Sequence, residues 1–193
     1  MKEMSGKQVV IVAGPSASGK SYLIRQLMTK RKNRFRDKVY RQLGIHPQEP
    51  RSHISIGALT KLGIKPGHSR KLIKNLIFIH FDITSRHQSE KQHLLRSIAN
   101  TCESIKVVTL KTPFEVWRQR MRQRIAISST KQPSNKADSI YRLSRFSGHL
   151  AKWRYESIYK QWNEIINDIH LDGQVVVRNE DMPFKATKAE NID

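Results

Sequence analysis

Residues 8–21 read Gln8-Val9-Val10-Ile11-Val12-Ala13-Gly14-Pro15-Ser16-Ala17-Ser18-Gly19-Lys20-Ser21, an apolar run that stops abruptly in a Gly-x-x-x-x-Gly-Lys-Ser octet. A phosphate cradle needs a buried strand that ends sharply and a loop whose backbone N–H groups converge on oxygen. It also needs a helix whose positive end faces the same anion. Glycine at 14 and 19 permits dihedrals and a close phosphate approach that a β-carbon would obstruct. Lys20 is then within reach of β- and γ-phosphates, and the Ser21 hydroxyl is set to ligate Mg²⁺. Beyond the octet, Leu23, Ile24, Leu27 and Met28 recur at helical spacing, supplying the required helix. The whole octet, Gly14, Pro15, Ser16, Ala17, Ser18, Gly19, Lys20 and Ser21, is the expected nucleotide-binding segment.

Further along, strands and helices alternate. Leu76-Ile77-Phe78-Ile79-His80-Phe81-Asp82 reads as a buried strand ending in a carboxylate. In doubly wound sheets the ligand lies at the carboxyl ends of strands, where an Asp can hold the Mg²⁺ shell or take the acceptor's proton. Asp82 suits that role, and the alternative is a cap on the following turn. His80 falls on the same side of the strand as Asp82 and reads as its hydrogen-bonded neighbour. Ser89 to Thr101 predicts a helix with Leu94, Leu95, Ile98 and Cys102 on one face, leading into the strand Ile105 to Leu110. This rhythm predicts a three-layer α/β sandwich around a mostly parallel sheet. With no Pro/Gly/Ser-rich linker, residues 1–193 are expected to form one domain.

Pro113 and Glu115 suit the first turn of a helix in which Phe114, Trp117, Met121 and Ile125 form one apolar stripe. Arg120 and Arg124 flank that stripe on one side, Arg118 and Arg122 on the other. One pair can therefore turn to a phosphate while the stripe stays packed; a solvated basic face is the alternative. Ser128 to Asp138 have loop composition. Residues 37–67 read as an insertion specific to the acceptor, with His53 to Gly57 as a short strand within it and His68 to Asn75 as a short helix after it. Tyr155, Ile158, Tyr159, Trp162, Ile165, Ile166 and Ile169 form an amphipathic face, Trp153 lies opposite, and Asp172-Gly173 reads as the stop. Val175 to Val177 is the closing strand, and Met182 to Asp193 reads as a frayed tail.

The octet is similar to the phosphate loop of P-loop nucleoside triphosphatases, in particular the small-kinase branch that includes guanylate kinases. The spacing Leu110-x-x-Pro113-x-Glu115, followed by Arg120 and Arg124, resembles the lid-side helix of nucleotide and small-molecule kinases, whose arginines clamp the transferred phosphoryl group or stack on the adenine. That resemblance implies a lid-like segment over about 113–138. The Ser/Thr/Arg-rich acceptor segment of guanylate kinases has no counterpart in residues 33 to 70. The resemblance implies a phosphotransferase that uses Mg·ATP, with GTP as the alternative donor. It implies Lys20, Asp82, Arg120 and Arg124 as catalytic groups, Ser21 and Asp82 as metal ligands, and a small anionic or hydroxyl-bearing acceptor. A catalytically silent nucleotide-binding regulator and a nucleic-acid-associated NTPase or polynucleotide kinase are the rivals.

The chain carries a net charge of +20. Thirteen Lys and Arg stand between Lys30 and Lys74 against only Asp37 and Glu49, and the excess begins just beyond the octet. Such a face suits a polyanion, nucleic acid included, or is simply solvated. The basic run Lys30 to Arg36 contains one aromatic, Phe35, so base-stacking residues are not interleaved in sequence. Asp37 is a weaker candidate for an acceptor-binding carboxylate. One cysteine, Cys102, excludes an internal disulfide, and no apolar stretch is long enough for a span; a cytoplasmic protein is expected.

Overall fold

Val9 to Ala13 are fully buried within strand β1 (Gln8–Gly14). A strand that is apolar on both faces must be covered on both. The computed structural model describes residues 6–55, 59–60, 63–64, 75–83, 88–130 and 152–183. After β1 come α1 (Lys20–Met28), α2 (Arg34–Gln42), β2 (Arg51–Ser55) and a small hairpin of β3 (Leu59–Thr60) and β4 (Gly63–Ile64). They are followed by β5 (Leu76–Asp82), α3 (Gln88–Ala99), β6 (Ser104–Lys111), α4 (Phe114–Thr130), α5 (Lys152–Asn167) and β7 (Gly173–Arg178).

Five strands form one sheet in the order β2-β5-β1-β6-β7, and every pairing in it is parallel. The strands' period of two divides the core into two layers. Val9, Ile11 and Ala13, with Ile77, Ile79 and Phe81, pack toward Leu95, Trp117, Tyr155 and Trp162 of α3, α4 and α5. Val10, Val12, Phe78 and Val108 pack toward Leu23, Leu27, Val39 and Tyr40 of α1 and α2. The result is the three-layer α/β sandwich expected from the sequence. β1 has β5 on one side and β6 on the other, so the chain reverses its winding there, and a crevice opens at the strand ends. Register sets Gly14 directly beside Asp82 across that crevice.

The apolar face of α5 packs as expected, and its polar tips do more than fill space. Trp162 is 1% exposed, lies 5.3 Å from the Phe81 ring, and donates its indole N–H to Thr109 Oγ1 at 2.9 Å. The Tyr159 hydroxyl donates to the Leu110 carbonyl at 2.9 Å, and that of Tyr155 to the Thr112 carbonyl. Trp153, on the opposite face, is 63% exposed.

Some boundaries differ from the sequence expectation. α5 ends at Asn167 rather than at Asp172-Gly173, and the Asp172 carboxylate instead accepts the Ile105 N–H at 2.7 Å and ties the connection to β6. Ser128 to Thr130 belong to α4, so the lid-like loop does not begin there, and residues 131–138 lie outside the described residues. The helix expected over 68–75 also lies outside them, apart from Asn75, whose carbonyl accepts the Gln8 N–H. Met182 is 4% exposed and packs in the core, so the tail does not begin at that residue.

Replacing Trp162 with Ala should lower unfolding free energy by about 3–5 kcal/mol in urea titrations, since it opens a cavity and strands the Thr109 hydroxyl. Trp153→Ala should stay within about 0.5 kcal/mol.

Candidate nucleotide-binding site

A loop that presents N–H groups must dispose of its carbonyl oxygens. Within the loop the Ser18 N–H donates to Pro15 O at 3.1 Å, and other donors come from elsewhere in the fold. Trp117 donates its indole N–H to Ser16 O at 2.8 Å, while the Thr112 hydroxyl and Arg120 Nη1 donate to Ser18 O at 2.9 and 3.1 Å. The Lys20 ammonium donates to Gly14 O at 2.7 Å and Pro15 O at 2.6 Å. α1 starts at Lys20; Tyr22 and Leu23 donate their N–H groups to Gly19 O at 3.0 Å, which leaves those of Lys20 and Ser21 as the first-turn donors without a helical acceptor.

Two glycines are required by the geometry. Gly19 has φ +104°, and a β-carbon on Gly14 would stand 2.8 Å from Ser18 Oγ and 3.2 Å from the Leu110 carbonyl. Ala17 also has a positive φ, 64°, strain that the anchored loop holds in place. Ser18 is fully buried, and its hydroxyl has no hydrogen-bond partner among the described residues.

Ser16 to Ser21 border a cavity of about 680 Å³ together with His80, Asp82, Arg120 and Arg124. Asp82 Oδ2 lies 4.0 Å from Lys20 Nζ. Burial lowers the Lys20 pKa to about 8 even though Asp82 pulls it the other way, so desolvation outweighs the attraction. Burial, helped by Lys20, lowers the His80 pKa to about 4, which keeps that imidazole neutral near pH 7. Ser21 and Asp82 offer hard oxygen donors on the same cavity, the donor type that Mg²⁺ takes. With the left-handed glycine, the close-packed Gly14 and the buried ammonium, the residues present fit a Mg·triphosphate.

All four arginines of α4 can now be located. Arg120 is half-buried, reaching Ser18 O and, at 3.2 Å, Asn179 Oδ1; Arg124 is exposed and borders the same cavity. Arg118 pairs with Glu115 at 3.8 Å and lies over the Phe114 ring, and Arg122 points to solvent. Asp37 is engaged by Arg36 at 2.6 Å and does not border this cavity. Cys102 is partly buried, and burial raises its thiol to about 11, so it stays protonated.

Three contributors went unnoticed in the sequence. Asn179 and Met182 follow β7 and border the cavity, although a polar residue at a strand's carboxyl end is a legible signal. Lys91 of α3 donates its ammonium to the Asp82 carbonyl and lies over the Phe81 ring, and burial lowers its pKa to about 8. No pattern around Lys91 distinguishes it from a surface lysine.

Fold and site together define a nucleotide-binding protein of the P-loop NTPase superfamily. A family model described as an AAA domain matches residues 9–142, more than half of the chain, and the chain belongs to that family. No curated protein matches it. Among the described residues no helix is long and apolar enough to cross a membrane.

Gly14→Ala should cost about 1–3 kcal/mol of stability, because the backbone carbonyl of Leu110 cannot yield to the new methyl. It should also abolish the rise in melting temperature that a nucleoside triphosphate gives the native protein. A variant that melts and binds like the parent would show that the cradle tolerates a β-carbon.

Proposed function

We propose that the protein is an ATP-dependent phosphotransferase that moves the γ-phosphoryl group of Mg·ATP to an acceptor hydroxyl or anionic oxygen. One observation carries this reading: loop, ammonium, carboxylate and two arginines border a single cavity. A binding protein needs the loop; a transferase also needs charge aimed at the moving phosphoryl group and a carboxylate beside it.

In this mechanism the loop N–H groups and Lys20 bind the β- and γ-phosphates and offset their charge. Ser21 and Asp82 would hold Mg²⁺, which supplies charge neutralisation between those phosphates when bound. In its alternative role, Asp82 takes the proton of an acceptor hydroxyl as its oxygen attacks phosphorus. The bond to the β,γ-bridging oxygen then breaks and ADP leaves. Arg120 and Arg124 stabilise the charge spread over the equatorial oxygens of the loose transition state. Arg120, already oriented by Ser18 O and Asn179, loses little side-chain entropy in doing so. His80 is neutral and serves as an uncharged wall.

Mg·ATP should raise the melting temperature through mass action on the native state, and Lys20→Ala should remove most of the shift. An undiminished shift in that variant rejects the donor site. Incubation with γ-labelled ATP or GTP and pooled acceptors then reads transfer directly. Binding without transfer to any acceptor would leave a nucleotide-dependent regulator instead.

Asp82→Asn should cut turnover by about two to three orders of magnitude with nucleotide binding largely kept. The double change of Arg120 and Arg124 to Gln should lower kcat at least about tenfold, as each charge-assisted contact contributes about 1.5–3 kcal/mol. The same change at Arg118 and Arg122 should leave kcat near the parent value. Equal, small effects from the two pairs would return α4 to a solvated basic face.

A further inference from the structure

We propose that β7 is a docking edge for a second copy of this chain. Two β7 strands pair antiparallel about a two-fold axis at Val176 and join two sheets into one.

β7 ends the strand order, so among the described residues β6 is its one partner. The ladder shows which of its backbone groups are already used. The Ile105 carbonyl accepts the Asp172 N–H at 2.9 Å, and the Ile105 N–H goes to the Asp172 carboxylate. Ile105, and by alternation Val107 and Thr109, therefore turn their backbone groups toward β7. Parallel register sets Lys106 beside Gly173 and Val108 beside Val175. Gly173, Val175 and Val177 thus bond to β6, and the N–H and C=O groups of Gln174, Val176 and Arg178 lie along the free edge.

The same three residues also carry the exposed side chains of the strand, while Val175 and Val177 pack toward α2 on the other face. Val176 is 54% exposed, and among the described residues Trp153 is the only other large apolar side chain so open. Edges of this kind are ordinarily blunted by lysine or proline. Gly173-Gln174-Val175-Val176-Val177-Arg178 has neither, and its β-branched centre favours an extended pairing.

Self-complementarity selects the occupant. Antiparallel pairing sets outward-pointing residues opposite one another, and one register opposes Val176 of one copy with Val176 of the other, covering both. Gln174 then faces Arg178 on each side of the axis, a carbonyl oxygen across from a guanidinium, and each opposed pair exchanges two backbone hydrogen bonds. A slip of two residues would set Val176 against Gln174 or Arg178 and leave it without an apolar partner. Glu180, 4.0 Å from Arg178, offsets the charge that each copy brings to the contact. A single strand pair covers less than the roughly 1,000 Å² of a stable complex, so the dimer is reversible. Because the strands run antiparallel, the two crevices open at opposite ends of the joined sheet, and each copy keeps its own nucleotide cavity.

The test is sedimentation velocity of the full chain at about 10–300 µM. In about 0.15 M salt a Debye length of about 8 Å screens most of the repulsion between two chains of net charge +20. The parent should pass from monomer to dimer across that range. Val176→Lys should weaken association at least about tenfold by opposing two ammonium groups at the axis, and Val176→Glu should do the same with carboxylates. Both should melt within about 2 °C of the parent, since the site is exposed in the monomer. An equimolar mixture of the two should recover the dimer, because opposite charges then face each other. Val176→Pro removes an N–H that the β6 ladder does not use, and should abolish association with the fold kept. A parent that stays monomeric overturns the proposal and leaves the edge to a strand of a different protein. So does a Val176→Lys variant that associates like the parent, or a folded Lys/Glu mixture that stays monomeric. A dimer that survives Val176→Pro pairs through another face, and overturns it equally.

Discussion

The carbonyl oxygens of a phosphate loop need donors other than the N–H groups that face an anion, and this constraint reaches across the molecule. Ser16 O and Ser18 O are taken by Trp117, Thr112 and Arg120, which belong to α4 and the end of β6. The end of β6 is itself held from behind, since Trp162, Tyr159 and Tyr155 bond Thr109, Leu110 and Thr112 in turn. Burial raises both phenols, so they remain neutral donors. A motif of eight residues thus depends on aromatic side chains more than a hundred positions away.

The same arrangement sets the electrostatics. Burying Lys20 beneath the loop costs solvation, which neither Asp82 nor the two loop carbonyls fully restores, and its pKa falls to about 8. Lys91 meets the same penalty on the other side of Asp82. The Asp82 carboxylate thereby stands among two desolvated ammonium groups and Arg124, a site with surplus positive charge. A polyphosphate would relieve that surplus, so the site's preference for an anion comes from burial as much as from the number of basic residues.

Strand β1, the loop, α1 and β5 were legible because each is specified locally: apolar runs of the right length, two glycines, and a carboxylate at a strand end. The stripe on α5 was legible as packing. Its hydrogen bonds were not, since a helical wheel ranks Tyr155 and Tyr159 by their rings and is silent about where a hydroxyl ends. Met182 was read as tail because no periodicity follows β7, yet a short turn at Asn179–Asp181 folds it back onto the core. Asp172 resembled a helix stop because Asp-Gly usually breaks a helix, and its real partner, the Ile105 N–H, is 67 residues distant. What the sequence conceals here is long-range polar pairing, which has no period.

The arginines of α4 illustrate how one helix separates packing from the lining of a cavity. Trp117 and Met121 bury its apolar stripe, and Trp117 also anchors the loop, so the rotation of the helix is fixed by packing before any charge is considered. That rotation brings Arg120 and Arg124 to the cavity and turns Arg118 toward Glu115 and Phe114. The matched family segment, residues 9–142, contains the loop, Asp82 and this helix but stops before α5 and β7. These cavity-lining parts therefore lie inside the matched segment, whereas the tyrosines and tryptophan that hold the end of β6, and Asn179 that bonds Arg120, lie beyond it. Any account of how this site keeps its geometry has to include the C-terminal elements, because the carbonyls at the end of β6 are pinned from there.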